Sequence, residues 1–386
     1  MGLTGQLTVA ADRVVTADGV LAPGWLTISG GRIAALGEGE PGEPADFRGH
    51  WALPGFIDMH VHGGGGASFT ESGADEARRA AAFHRAHGST RIIASLVTAP
   101  VDALERRLRM LAGLAGEGVI DGIHLEGPFL AASRCGAQDP RYLIAPDVAA
   151  FARLHAAAGG WLRMITIAPE LPGAAQVIRA AVAAGVIAAA GHTDASAEVT
   201  AAAVDAGVSH ATHLFNGMRP LGHRDPGPAG ALLDRQVTCE IVADGSHLDD
   251  TVIRLTARAA GRDNLVLITD AMAAAGMPDG AYRLGSLDVT VTDGVARLAP
   301  AEPGGAPGSI AGSTATMEAV VRHAITAAGL DVAGVAAAAA TTPARRLGLA
   351  AETGALRPGL AADLVLLDDT FRLTAVIARG TEVPVP

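Results

Sequence analysis

From residue 53 to residue 269 the chain repeats one alternation, and that repetition constrains the fold more than any other feature. Apolar, strand-like runs recur at 53–59, 90–97, 119–124, 162–167, 186–190, 208–213, 237–243 and 264–269. Between them, alanine-rich segments such as 73–88, 101–115, 146–158, 173–185 and 196–206 have helical composition. Short apolar runs bounded by turn residues read as strands buried on both faces, and the longer segments as the helices that cover them. Eight such units, which with the closing segment to 349 make about 290 residues, predict an α/β fold, a (β/α)8 barrel of the TIM type. A doubly wound open sheet is the alternative. It is disfavoured because no G-x-G-x-x-G follows the first strand.

The two ends have a different pattern. Residues 6–50 alternate apolar and polar positions in Leu7-Thr-Val-Ala, Arg13-Val-Val-Thr, Trp25-Leu-Thr-Ile and Arg32-Ile-Ala-Ala-Leu, with Gly30-Gly31 as a hairpin signal between the last two. Asp363-Leu-Val-Leu-Leu and Leu373-Thr-Ala-Val-Ile-Ala repeat it at the far end. The expected organisation is a small β-sandwich domain built from both chain ends, 1–52 and 351–386, around a barrel domain of 53–350. A β insertion is expected near 281–299, where Asp293-Gly294 separates two alternating runs, and closing helices at 313–349.

Residues with metal-binding chemistry fall at the ends of the barrel runs. Leu53-Pro-Gly-Phe-Ile-Asp-Met-His-Val-His62 reads as one strand running into a flexible glycine loop, and His60 and His62, two apart, share a face. Two imidazoles so placed can grip one ion; the alternative is a strand end with two solvated histidines. The third run ends in Glu126, the fifth in His192, the sixth in His213 and Asn216, and the eighth in Asp270, while the seventh leads to Asp244 and His247. Barrel sites occupy that carboxyl-terminal face, so these distant positions are expected to converge. Imidazole and carboxylate suit Zn2+, and also Fe2+, Mn2+ or Co2+; the absence of cysteine from the set points to a catalytic rather than a structural site. Such an ion brings the pKa of bound water to about 7, and Asp270 is placed to carry a proton. The alternative for Asp270 is an N-cap on the following helix.

Composition narrows the chemistry further. All 29 basic residues are arginine, so no lysine can form a Schiff base or be carboxylated into a metal bridge. The net charge of −11 argues against nucleic acid or an anionic membrane surface as partner. Neither a run of 18 apolar residues nor a signal-like N-terminus is read, and two cysteines give no disulfide framework, so a cytoplasmic location is expected.

The motifs PGFIDMHVHG, HLEGPF, GHTDA, THLFNGM, ITDA and AGS together resemble the N-acetylglucosamine-6-phosphate deacetylases of the amidohydrolase superfamily, over nearly the whole chain. The resemblance implies that Glu126, His192 and His213 bind the principal divalent ion, with His60 and His62 adding a site for a second. It makes Asp270 the proton shuttle in hydrolysis of the acetamide of an amino-sugar phosphate. Asn216 and Gly217 would hold the sugar phosphate together with Arg224, which in the family reaches a neighbouring subunit's site and so implies a homodimer. His247, Ile310, Ala311 and Gly312 would contact the sugar. Ala137 and Gln138 lie in the loop where the family often has Gly-Ala-His; Gln138 replaces a substrate-contacting histidine and is expected to hydrogen-bond a carbonyl or hydroxyl. Cys135 in that loop is either a reactive thiol or an idle one. Rival functions are another amidohydrolase activity, on N-acyl amino acids or as a deaminase, and a non-catalytic metal-binding paralogue.

Overall fold

The computed structural model describes residues 6–386 except 301, 303, 304 and 307. The chain divides into two compact units, one of residues 59–81 and 92–315 and one of residues 1–58, 82–91 and 316–386.

Eight parallel strands, most of them wholly within the first unit, are β1 Phe56–Val61, β2 Ser89–Leu96, β3 Gly122–Glu126, β4 Leu162–Ile167, β5 Ile187–Ala190, β6 His210–Ala211, β7 Thr238–Ile241 and β8 Leu265–Leu267. They hydrogen-bond in chain order from β1 to β8. The two edges of the ring meet just past the last strand, where the Asp270 amide donates to the His60 carbonyl at 2.9 Å and Val61 bridges Ala271 in parallel. This is the expected barrel, nearly closed. Amphipathic helices such as Val101–Gly116 connect the strands, turning Leu104, Leu108, Leu111 and Leu114 inward at a helical period. Gly280–Leu284, Leu287–Thr292 and Val295–Leu298 form a three-stranded antiparallel sheet. Leu284, Val289, Val291 and Ala296 pack there with Val97, Met272 and Ala311.

Two expectations about the first run need correction. Leu53 and Pro54 do not begin β1; they end a separate strand, Phe47–Pro54. Gly55 breaks the run because no side chain fits: a Cβ there would lie 2.4 Å from Thr90 Oγ1. Nor do the glycines after His62 form a loose loop, since Gly63–Gly64 pairs with Ala67–Ser68 as a short antiparallel ladder.

In the other unit, strands from both chain ends share one eight-stranded sheet. Phe47–Pro54 joins them, pairing in parallel with Leu7–Val15 and antiparallel with Leu364–Leu367. Val9, Leu26, Ile28, Ile33, Leu364, Leu366 and Ile377 form its core. Each such side chain, fully buried, contributes about 1.5–3 kcal/mol. From Thr316 onward the closing helices belong to this unit.

Candidate metal centre

The strand ends carry their histidines and carboxylates to one place. His60 and His62 leave β1 on the same face with their Nε2 atoms 3.0 Å apart. Asp270, following β8, sets Oδ1 3.4 Å from His60 Nε2 and 3.3 Å from His62 Nε2. Glu126 ends β3, and its Oε1 lies 3.0 Å from His192 Nε2 and 2.8 Å from His213 Nε2, which are themselves 3.1 Å apart. Two triads result, His60–His62–Asp270 and Glu126–His192–His213, each with its ligand atoms within 4.8 Å of one another. Glu126 spans both, since its Oε2 is 3.4 Å from His62 Nε2.

The backbone that aims these groups is unusual. His192, His213 and Asp270 have φ of 47°, 27° and 50°, a left-handed conformation that non-glycine residues rarely adopt. Strained residues of this kind persist where surrounding structure holds them, and they gather at functional sites. Gly217 meets His192 closely: a Cβ on Gly217 would fall 2.9 Å from His192 Nδ1.

The donor set fits a divalent cation. His192 Nδ1 donates to the Arg134 carbonyl at 2.9 Å, which leaves Nε2 as the free ligand atom on the Glu126 side. Burial opposes protonation of His62, yet Asp270 and Glu126 push it up to about 10. Burial would raise Glu126, but His192 and His213 outweigh it and hold its carboxyl well below the usual range. Burial likewise opposes ionisation of Asp270, and His60 and His62 reverse the balance. Two buried carboxylates facing four imidazoles thus create a field that favours positive charge at their centre. Nitrogen and carboxylate oxygen without thiolate suit the borderline divalent metals.

Five of the six triad residues line a cavity of about 370 Å³, within the range of small-molecule sites. His62, Glu126, His192, His213 and Asp270 reach it, as do Ala137, Gln138, Asn216, Gly217, His247, Ile310 and Gly312. His60 lies behind His62 and is fully buried. Ala311 is also buried and does not line the cavity. Arg224 is exposed on the loop after β6 and does not reach it either. Asn216 donates to the His213 carbonyl at 3.2 Å. His247 Nδ1 pairs with Asp244 at 2.8 Å.

Gln138 is engaged by two partners within the site. Its Nε2 donates to Glu126 Oε2 at 2.5 Å, and its Oε1 accepts from the Thr98 amide at 2.7 Å. The side chain therefore braces a metal-ligand candidate. Burial and the nearby Asp139 push the Cys135 thiol up, and Arg134 is engaged with Asp194 at 2.8 Å. Arg134, Ser133 and Ser309 line the cavity although the sequence did not mark them, because loop residues without a repeated spacing carry no periodic signal. His124, fully buried between Ser95 Oγ at 3.0 Å and Thr166 Oγ1 at 2.8 Å, is a barrel-interior group.

Residues 51–383 match the Amidohydrolase family. The chain belongs to the amidohydrolase family. It is a hydrolase of the N-acetylglucosamine-6-phosphate deacetylase type within that family. It is 33% identical to the N-acetylglucosamine-6-phosphate deacetylase of Bacillus subtilis (strain 168), covering 97% of this chain and 96% of the relative. It is 35% identical to the N-acetylgalactosamine-6-phosphate deacetylase of Escherichia coli O157:H7, covering 96% and 97%. Among solved structures, a mutant N-acetyl-D-glucosamine-6-phosphate deacetylase from Mycobacterium smegmatis, in complex with N-acetyl-D-glucosamine-6-phosphate, superposes with a TM-score of 0.94 at 46% identity, covering 99% of this chain and all of that one.

Proposed function

We propose that the protein hydrolyses the acetamide of N-acetyl-D-glucosamine 6-phosphate to D-glucosamine 6-phosphate and acetate. The observation that carries this reading is the meeting of both ligand triads at a 370 Å³ cavity, in a chain 46% identical to a deacetylase solved with that sugar phosphate. Glu126, His192 and His213 would hold the principal divalent ion, with Zn2+ the first choice and Fe2+, Mn2+ or Co2+ alternatives; His60 and His62 would add the second. When bound, the metal supplies activated water and an electrophile for the acyl oxygen.

The chain's own groups do the rest. Hydrolysis forms a C–O bond, breaks the C–N bond and moves one proton from water to the departing nitrogen. Asp270 takes that proton on its carboxylate and returns it to the amine. Its ionised state, favoured by His60 and His62, equips it to accept first. Gln138 holds Glu126 in place during the cycle, while Asn216, Gly217 and His247 orient the sugar. The phosphate falls to Arg224 of a neighbouring subunit in a homodimer, consistent with the exposure of that side chain in the single chain. A guanidinium binds phosphate in bidentate fashion and supplies local positive charge to an acidic protein.

The similarity to a galactosamine-derivative deacetylase supports a second reading, in which the substrate is the C4 epimer. Initial rates of acetate release from both sugar phosphates decide between them. A higher kcat/KM on the glucosamine derivative is expected. The reverse preference would move the assignment to the epimer, and activity on neither would remove both.

A further inference from the structure

Glu240, on β7, is fully buried and takes no part in the reading above. An isolated carboxylate in that position carries a heavy desolvation penalty, so its partners indicate what it does. Its Oε2 faces His60 Nδ1 at 3.1 Å and accepts from the His213 backbone amide at 3.0 Å. Its Oε1 faces His210 Nε2 at 3.0 Å. One side chain therefore touches a residue from each ligand triad. A carboxylate accepts and does not donate, so His60 keeps its proton on Nδ1 and turns the Nε2 lone pair toward His62 and Asp270. Glu240 does not line the cavity, so its influence passes through these partners.

We infer that Glu240 is a positioning residue of the metal centre, which fixes the ring and tautomer of His60 and thereby governs retention of the second ion. The inference rests on the two-ion reading of the triads. The two oxygens have separate duties, and that makes the inference sharp. Both contacts to the triads use Oε2; Oε1 serves His210 alone. A glutamine whose carbonyl takes the Oε2 place keeps both triad contacts, and its amide can donate to the other tautomer of His210. Leucine keeps the approximate size and loses every acceptor.

The test is equilibrium dialysis of the full-length chain against graded Zn2+, with elemental analysis, for wild type, Glu240→Gln and Glu240→Leu. Thermal melts of the same samples show that each is folded. Two ions per chain are expected for wild type. Glu240→Leu should keep the first ion and bind the second about 10–100-fold more weakly, the usual effect of losing a group that orients a ligand. Glu240→Gln should recover most of that loss. A leucine variant holding two ions at wild-type affinity overturns the inference. So does a glutamine variant as weak as leucine, because the acceptor at Oε2 would then not be the cause. Loss of both ions in folded Glu240→Leu overturns the claim that the second ion is the one governed. A wild-type chain that saturates at one ion refutes the two-ion reading itself, and the inference falls with it.

Discussion

At the metal centre the decisive chemistry is which atom of each side chain is already occupied. His192 has given one ring nitrogen to a carbonyl, and Glu126 has one oxygen on two imidazoles and the other on Gln138. Asp270 differs, because its Oδ1 lies 3.4 Å from His60 and 3.3 Å from His62 and its side chain lines the cavity. Asp270→Asn keeps the size and a hydrogen-bonding oxygen but cannot carry a proton. It is expected to retain metal and to lose about 10²–10⁴-fold in kcat, the range of general acid–base groups. Near-native turnover with metal bound would take the shuttle role away from Asp270. Legibility at this scale was uneven. His60, His62, Glu126, His192, His213 and Asp270 could be found because each ends an apolar run. Glu240 lies inside such a run, where a single charge signals a buried partner without saying which one.

Among elements, the loop that brings Arg134, Ala137 and Gln138 to the cavity is held by Asp139. This carboxylate accepts from the Arg141 side chain and backbone amide and from Ser286 Oγ at 2.5 Å, which ties the loop to the three-stranded sheet. The Arg141 guanidinium and the Ser286 hydroxyl outweigh burial and hold its carboxyl well below the usual range. A depressed folded value means that the anchor is fully present above the ordinary carboxylate pKa of about 3.9 and is lost as pH falls through the lower folded value. Hydrogen bonds to a charged group contribute about 1.5–3 kcal/mol. Asp139→Asn should therefore speed amide exchange across residues 132–142 by about 10–100-fold at pH 7, measured by hydrogen–deuterium exchange. Unchanged exchange would show that the loop is held by something else. The strand boundaries follow the same physics. Strand Phe47–Pro54 and β1 are both apolar and only Gly55 separates them, so periodicity merges them into one run. The close approach of Thr90, which demands the glycine, is a tertiary fact.

For the whole molecule, the barrel was legible because eight repeats of one pattern leave few topologies, and right-handed crossovers leave fewer. The pairing of the two chain ends was legible as similarity of pattern, whereas the register that joins them through Phe47–Pro54 was not. Arg224 marks the limit of reading a single chain, because the phosphate proposed for it would lie in another subunit's site. Arg224→Met should raise KM for the phosphorylated sugar sharply while barely changing the poor reaction with the unphosphorylated one. Equal losses on both would indicate a folding or assembly defect, and no loss on either would remove Arg224 from the site. The most direct measurement is acetate release from N-acetyl-D-glucosamine 6-phosphate by the full-length protein before chelation, after chelation and after return of Zn2+. Activity should vanish with the metal and come back with it, because Glu126, His192 and His213, the proposed ligands, bring their donor atoms within 4.8 Å of one another. Turnover that survives complete removal of metal would contradict the assignment of those three residues.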